Sequence, residues 1–177
     1  GVRLEEGGDG PELIEADRVV VAAGAWTPKL DGLPAGALPH IRPVRGEMLA
    51  CDLGEPAAIE HVIRAPQQTR PGVYMAPKSD GRLVVGATSE ERGFDATPTV
   101  GGIYGLLRGA WKTVPGVYDH HLLETWTGFR PVSLDNEPVL GPSADVEGLW
   151  IACGHGRNGI LLTPVTARAV ATAIDEG

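Results

Sequence analysis

The segment Asp17-Arg18-Val19-Val20-Val21-Ala22-Ala23-Gly24 decides the fold of this 177-residue chain. Its valine run, which ends in small residues, is typical of a strand buried on both faces, as in a parallel sheet. The small residues at its end leave room for a flat ligand, although tight packing against a helix explains them equally well. A second buried strand is predicted over residues 148–153. The sequence therefore predicts parallel strands at both ends of the chain.

Between these strands the pattern changes to the alternation of apolar and polar residues that marks antiparallel strands. It covers residues 45–50, 73–77 and 82–88, and Asp80-Gly81 supplies a turn that joins the last two strands in a hairpin. Residues 102–114 predict a helix, and residues 122–127 predict another strand. The apolar positions at helical spacing are Ile103, Leu106, Leu107, Ala110 and Trp111. We thus expect an α/β fold with an inserted antiparallel sheet.

The two ends of the chain predict further local structure. Residues 2–6 and 12–15 alternate around a glycine-rich turn at residues 7–10, as in a hairpin. A C-terminal helix is predicted to begin close to Asn158 and Gly159, with Pro164 still in its first turn. The free N–H groups of that turn suit an anion or a ring oxygen that gains negative charge, although an ordinary capped helix gives the same pattern.

Composition excludes several classes of partner. Fifteen basic residues against 23 acidic ones give a formal net charge of −8, with no basic cluster that could follow a nucleic-acid backbone. Cys51 and Cys153 give neither a disulfide framework nor zinc-ligand spacing, and no apolar stretch is long enough to span a bilayer. These features predict a soluble cytoplasmic protein that binds no metal, nucleic acid or membrane.

Two glycine-flanked arginines are the candidate functional residues. They lie in Thr127-Gly128-Phe129-Arg130-Pro131 and in Gly154-His155-Gly156-Arg157-Asn158-Gly159-Ile160. A guanidinium is always cationic and presents a planar fork of donors that matches a carboxylate, so a tight segment around it indicates anion recognition or an ion pair. For Arg130, an ion pair with Asp135 or Glu137 is the structural alternative.

Four motifs in the same order resemble the D-amino-acid oxidase family, and among its members the glycine oxidases of thiamine biosynthesis. They are ADRVVVAAGAW at residues 16–26, YMAPK and GRLVVGAT at 74–78 and 81–88, GFRP and DNEP at 128–131 and 135–138, and GHGRNGILL at 154–162; EERGFD at 90–95 adds to the likeness. The chain resembles only the C-terminal half of the family, because the Gly-x-Gly-x-x-Gly turn that holds the FAD pyrophosphate has no counterpart. The resemblance implies an FAD-binding segment at 1–42, a substrate domain at 43–126 and a return to the FAD domain at 127–177. The chain is then expected to be either a fragment of a longer protein or a part whose N-terminal half is supplied separately. In isolation it is expected to bind FAD weakly or not at all and to be inactive.

The resemblance also implies roles for particular residues. Arg130 would hold the substrate carboxylate, Tyr74 would assist from the sheet, and Arg157 would lie near the pocket, on the substrate side or as an electrostatic tuner. The residues implied at the FAD are Ala23, Gly24, Trp26, His155, Gly156, Arg157, Asn158, Gly159, Ile160 and Leu161. The implied reaction converts glycine, O2 and water into glyoxylate, ammonia and hydrogen peroxide. A sarcosine or D-amino-acid dehydrogenase with another electron acceptor is the first alternative, and a non-catalytic binding module without FAD is the second.

Departures from the family pattern leave the substrate open. Gly156 stands where members usually carry Phe or Tyr, which widens the pocket, so glycine, sarcosine and small D-amino acids are all candidates. Lys78 replaces the usual arginine, and Val132-Ser133-Leu134 replaces a turn richer in glycine and proline. A homo-oligomer is compatible with the family. Tyr74 is otherwise a half-buried strand residue, and His155 otherwise only packs against the ring.

Three histidines and one cysteine are assigned to no functional site. His61, His120 and His121 lack metal-ligand spacing and are expected in solvated loops. Cys153 is expected to be a small core residue rather than a flavin attachment site.

Overall fold

The computed structural model describes residues 1–4, 12–53, 59–65 and 72–176. The turn predicted at residues 7–10 lies outside these ranges. The chain divides into two compact units, one formed by Gly1–Pro43 with Arg130–Gly177 and the other by Val44–Phe129. Together their mixed sheets and helices make the α/β fold that the sequence predicts. Among the described residues no helix combines the length and the apolar character needed to cross a bilayer.

The first unit contains the parallel strands. Strand β10 (Leu149–Cys153) lies between β3 (Val19–Val21), which runs parallel to it, and β9 (Val139–Pro142), which runs antiparallel. A short antiparallel pair, β1 (Val2–Leu4) and β2 (Glu12–Ile14), confirms strand pairing at the N-terminus. The parallel pairing is as predicted, but burial of β3 on both faces is wrong, because Val20 is 42% exposed. Only the opposite face, with Val21, joins the core.

The C-terminal helix α2 (Gly159–Glu176) begins where the sequence predicts. Pro164 is its sixth residue, so the expectation that it lies in the first turn is wrong. A proline there removes the N–H that would bond the carbonyl of Ile160, and Ile160 is 92% exposed, so water can reach that region. Of the residues of α2, only Val170 is buried.

The second unit is built on a five-stranded sheet in the order β5-β6-β7-β4-β8. The strand bounds are β4 Arg42–Asp52, β5 Ile63–Arg64, β6 Tyr74–Pro77, β7 Arg82–Gly86 and β8 Leu122–Val132. Antiparallel pairing of β6 with β7 and of β7 with β4 confirms the predicted sheet. The β6–β7 turn uses Gly81 at φ +83°, and Asp80 Oδ1 accepts from the N–H of Arg82, which is the predicted turn chemistry.

Helix α1 (Val100–Thr113) contributes to the core of this unit. Leu106 and Ala110 are fully buried, as its apolar spacing predicts. Leu107 and Trp111 are exposed instead, so assigning them to the core face is wrong. Trp111 contacts the ring of Tyr118 at 5.9 Å between centroids, on the outer side of the helix.

Adjacent glycines at the start of α1 give opposite predictions. A methyl group on Gly102 would lie 1.8 Å from Oε2 of the buried Glu47, whereas one on Gly101 would meet no described atom within 4 Å. We expect Gly102→Ala to lower the free energy of unfolding by about 1–3 kcal/mol through overpacking. Gly101→Ala should raise it by up to about 1 kcal/mol through helix propensity. Denaturant unfolding of the whole protein measures both, and equal effects would contradict the packing described for Glu47.

Candidate functional site

Arg130 lies within strand β8, two residues from its end. The strand predicted at 122–127 continues through Gly128, Phe129 and Pro131, so the glycine-flanked segment of Arg130 is extended strand. Arg130 is half-buried. Val132 forms an antiparallel bridge with His155, so the strand that carries Arg130 is joined to the loop that enters α2. The structure thus brings together the two arginine segments of the sequence.

The turn after β8 is fixed by its own side chains. Ser133 Oγ lies 2.7 Å from the carbonyl oxygen of Glu137 and 3.1 Å from Asp135 Oδ1, and the N–H of Glu137 donates to the same Asp135 oxygen over 3.0 Å. The Glu137 N–H and then the Ser133 hydroxyl hold the pKa of Asp135 below its usual value. Arg42 Nη1 donates to the carbonyl of Ser133 over 2.6 Å. Asp135 is thus engaged inside its own turn, which matches the predicted turn at 135–138.

The loop between β10 and α2 needs left-handed backbone at two positions. Gly154 has φ +82° and Gly156 has φ +56°, a region that side chains other than glycine adopt with strain. His155 Nε2 and Thr166 Oγ1 are hydrogen-bonded at 2.9 Å, so the imidazole is held against α2. A short 3-10 helix, Gly156–Asn158, then leads into α2.

The surface at the start of α2 combines the positive potential of a helix N-terminus with exposed apolar side chains. The first four N–H groups of an α-helix have no partner within the helix, and they carry positive potential. Ile160 is 92% exposed and Leu161 is 79% exposed, directly beside these groups, and Arg157 is exposed as well. A flat heteroaromatic ring with an electron-rich edge fits this combination. The residues present therefore fit the ring end of a flavin.

The segment after β3 forms the other predicted cofactor contact. Ala23 precedes a short 3-10 helix, Gly24–Lys29, in which Gly24 has φ +57°. Thr27 is buried, and its hydroxyl donates to the carbonyl of Gly24 over 2.9 Å. Trp26 is half exposed, whereas Ala23 and Gly24 are partly buried. Cys153 is buried, which confirms its assignment to the core, and burial raises its thiol pKa.

Tyr74 lies in the second unit, on the sheet face opposite to helix α1. Strand pairing aligns Tyr74, Gly86 and Met48 in one row across β6, β7 and β4. The Tyr74 hydroxyl donates to Met48 Sδ over 3.3 Å, and a methyl group on Gly86 would lie 2.7 Å from the hydroxyl oxygen. Gly86 thus leaves the space that the ring of Tyr74 occupies. Sequence reasoning missed Met48 and Gly86, because only the strand register places them beside Tyr74.

A buried ionic cluster was also missed by sequence reasoning. Arg45 and Glu47 are fully buried on the core face of β4, and Arg45 binds Glu47, Glu90 and Asp95. The sequence does contain a signal for this cluster. Arg45 and Glu47 occupy alternate positions of a predicted strand, and the next residues on the same face, Leu49 and Cys51, are apolar.

The expectation that three histidines are solvent-exposed is confirmed for two of them. His61 and His121 are exposed, but His120 is largely buried and its Nδ1 contacts the main-chain carbonyl of Asp52. His121 Nδ1 lies 2.7 Å from Asp52 Oδ2, and this hydrogen bond holds the pKa of Asp52 below its usual value. Among the described residues no group of three or more His, Cys, Asp and Glu could hold a metal ion.

Comparison with known proteins identifies the family. The model of the DAO family, described as FAD dependent oxidoreductase, matches residues 1–173. The chain belongs to this family. FAD is therefore the cofactor of the proteins to which it is related, and the resemblance seen in the sequence motifs is confirmed.

Three relatives show how much of such a protein the chain represents. It is 36% identical to a hydrogen cyanide synthase subunit, HcnC, of Pseudomonas aeruginosa, over 94% of the chain and 37% of the relative. It is 37% identical to the bifunctional protein ThiO/ThiG of Trichormus variabilis, over 93% of the chain and 24% of the relative. The crystal structure of glycine oxidase from Geobacillus kaustophilus is 36% identical with a TM-score of 0.81, covering 96% of this chain and 44% of that one. The chain thus spans less than half the length of these relatives.

Proposed function

We propose that this chain is part of an FAD-dependent oxidase that deaminates glycine or another small amino acid. Membership of the family supports the redox chemistry, and the likeness to glycine oxidase supports the substrate class. The observation that carries the proposal is the bridge between Val132 and His155, which ties the strand bearing Arg130 to the loop that fits a flavin. The likeness to ThiO/ThiG supports a role in thiamine biosynthesis.

In this proposal Arg130 binds the substrate carboxylate through its planar fork of donors. Such a fork fixes both the position and the orientation of the amino acid, which places its α-carbon for reaction. Tyr74 is proposed as a second carboxylate donor on the family resemblance alone; in this structure its hydroxyl donates to Met48 Sδ over 3.3 Å. Arg157 adds positive charge near the pocket.

FAD would be held by Ala23, Gly24, Trp26 and residues 155–161, with the first turn of α2 at the ring. When bound, FAD supplies the oxidising power by accepting a hydride from the substrate α-carbon. The helix N-terminus of α2 would stabilise negative charge on the bound ring. With O2 as the acceptor, glycine, O2 and water give glyoxylate, ammonia and hydrogen peroxide.

The test is product analysis with the whole protein. We expect hydrogen peroxide and glyoxylate in equal amounts from glycine in air. Sarcosine and D-alanine serve as competing substrates, because Gly156 in place of the aromatic residue usual in the family would widen the pocket. Turnover only with an artificial electron acceptor would instead indicate a dehydrogenase. A flavin-containing protein that oxidises none of these substrates would contradict the proposal.

A second candidate function follows from the likeness to the hydrogen cyanide synthase subunit, which is as close in identity as glycine oxidase. In that case glycine would pass four electrons and four protons in all to an electron acceptor such as O2, and it would yield hydrogen cyanide and carbon dioxide rather than glyoxylate. A cyanide electrode in the same glycine reaction separates the two functions, since each predicts a different carbon product.

We expect the isolated chain to bind no flavin and the co-expressed remainder of the protein to restore binding. The described residues present only the ring end of a flavin site, and apolar residues of α2 such as Ile160, Leu161 and Val165 remain exposed. Burial of such side chains by further protein is favourable. The flavin absorption spectrum of the purified proteins is the measurement. A colourless, folded whole protein would favour the non-catalytic binding module.

A further inference from the structure

Arg45 of strand β4 forms hydrogen bonds with both ends of the segment 90–97 in the second unit. Its Nε donates to Glu90 Oε2 over 3.0 Å, and its Nη2 contacts the same oxygen. At the other end of the segment, Arg45 Nη1 donates to the carbonyl of Thr97 over 2.8 Å and to Asp95 over 3.3 Å. The main chains of Arg45 and Glu90 also exchange two hydrogen bonds of 2.9 Å. The segment 90–97 is therefore anchored at its start and at its end by one buried guanidinium.

Between these anchors, the segment 90–97 contacts strand β8. The rings of Phe94 and Phe129 lie 5.3 Å apart at an angle of 60°, a favourable tilted geometry. Thr127 Oγ1 donates to the carbonyl of Ala96 over 2.9 Å. Thr127 and Phe129 are two residues apart, so both contacts fall on the same face of the strand.

Phe129 immediately precedes Arg130. Consecutive Cα atoms are separated by a fixed distance of about 3.8 Å, so any displacement of Phe129 moves the main chain of Arg130 with it. Strand alternation directs the side chains of Phe129 and Arg130 to opposite faces of β8, so the ring contact with Phe94 lies on the face away from the Arg130 side chain.

We propose that Phe94, held by Arg45 through the segment 90–97, positions Arg130 for carboxylate binding. This inference rests on the proposed function, in which Arg130 is the carboxylate ligand. Phe94 is a positioning residue, because it acts on Arg130 through Phe129. The guanidinium of Arg130 must be placed accurately, because a bidentate pair with a carboxylate tolerates little displacement of either group.

The test compares two aromatic contacts of the same unit in the whole, flavin-containing protein. Phe94→Leu removes the contact with Phe129, and Tyr118→Leu removes the matched contact with Trp111. We expect Phe94→Leu to raise KM for glycine about 3- to 10-fold with kcat changed less than about twofold, and Tyr118→Leu to change neither. Phe94→Tyr keeps an aromatic ring at this position, so its KM should equal that of the unmodified protein. Equal KM values for Phe94→Leu and the unmodified protein would overturn the inference.

A double-mutant cycle separates positioning of Arg130 from a general structural effect. In the background of Arg130→Met, Phe94→Leu should change KM less than about twofold, because the group that it positions is gone. Full additivity would overturn the inference. If Arg130→Met leaves KM unchanged, Arg130 does not bind the substrate carboxylate and the proposed function of this residue fails. If Arg130→Met raises KM but Phe94→Leu leaves it unchanged, only the proposal that Phe94 positions Arg130 fails. Should Phe94→Leu not fold, Thr127→Val removes the other contact and is expected to raise KM in the same way.

Discussion

Arg130→Met should raise the KM of the whole protein for glycine by about 100-fold or more, with its flavin content unchanged. The physical reason is that a bidentate, charge-assisted pair with the substrate carboxylate is lost and a methionine offers no donor in its place. Arg130→Lys should recover only part of the affinity, because an ammonium keeps the charge but not the planar fork. Steady-state kinetics with glycine, together with the flavin absorbance per protein, measure both quantities.

Two matched variants control this prediction. Arg82→Met removes an arginine of β7 that binds Asp80 and Glu124 at the surface, and it should leave KM unchanged. Asp135→Asn tests the structural alternative for Arg130. If Arg130 serves as an ion-pair partner of Asp135, then Asp135→Asn and Arg130→Met should both lower thermal stability and neither should change KM.

The strands were predictable from the sequence because their patterns are local. Alternation at 82–88 and the Asp80-Gly81 turn specify a hairpin regardless of the rest of the chain. The valine run of β3 likewise indicated a parallel partner, which is β10. Burial was less predictable, since Val20 faces outward in this chain although its neighbours match a strand buried on both sides. The sequence pattern of a strand gives the character of its side chains, whereas their exposure depends on which other elements pack against them.

The candidate site was predictable only as a set of motifs. Arg130 and the residues of the 155–161 loop were singled out by glycine flanks and by the family resemblance, and their joining through Val132 and His155 required the structure. Met48 carries no local signal, and Phe94 was noted only as part of the EERGFD motif, because each matters through a partner more than 25 residues away in sequence. Long-range pairing is set by sheet register, which a short pattern does not encode.

The other large effect is expected for Arg45→Met, which should lower the midpoint of thermal unfolding of the whole protein by roughly 10 °C. Arg45 is fully buried, and hydrogen bonding by Glu90 keeps its pKa above the usual value, so the guanidinium stays charged. Its loss removes a donor from Glu47 Oε1, which would then retain the N–H and hydroxyl of Thr99. Glu47 Oε2 already has no described hydrogen-bond partner. A buried carboxylate would thus lose its counter-ion.

The double variant Arg45→Met with Glu47→Leu distinguishes loss of an ion pair from loss of packing. Removing both buried charges together avoids an isolated carboxylate, so we expect the double variant to unfold at a higher temperature than Arg45→Met alone. The same substitution at exposed Arg92 is the control and should shift the midpoint little, because its contact with Glu90 is long, at 3.9 Å, and solvated. A double variant less stable than Arg45→Met would show that Glu47 stabilises the start of α1 without its arginine, through its hydrogen bonds to Thr99.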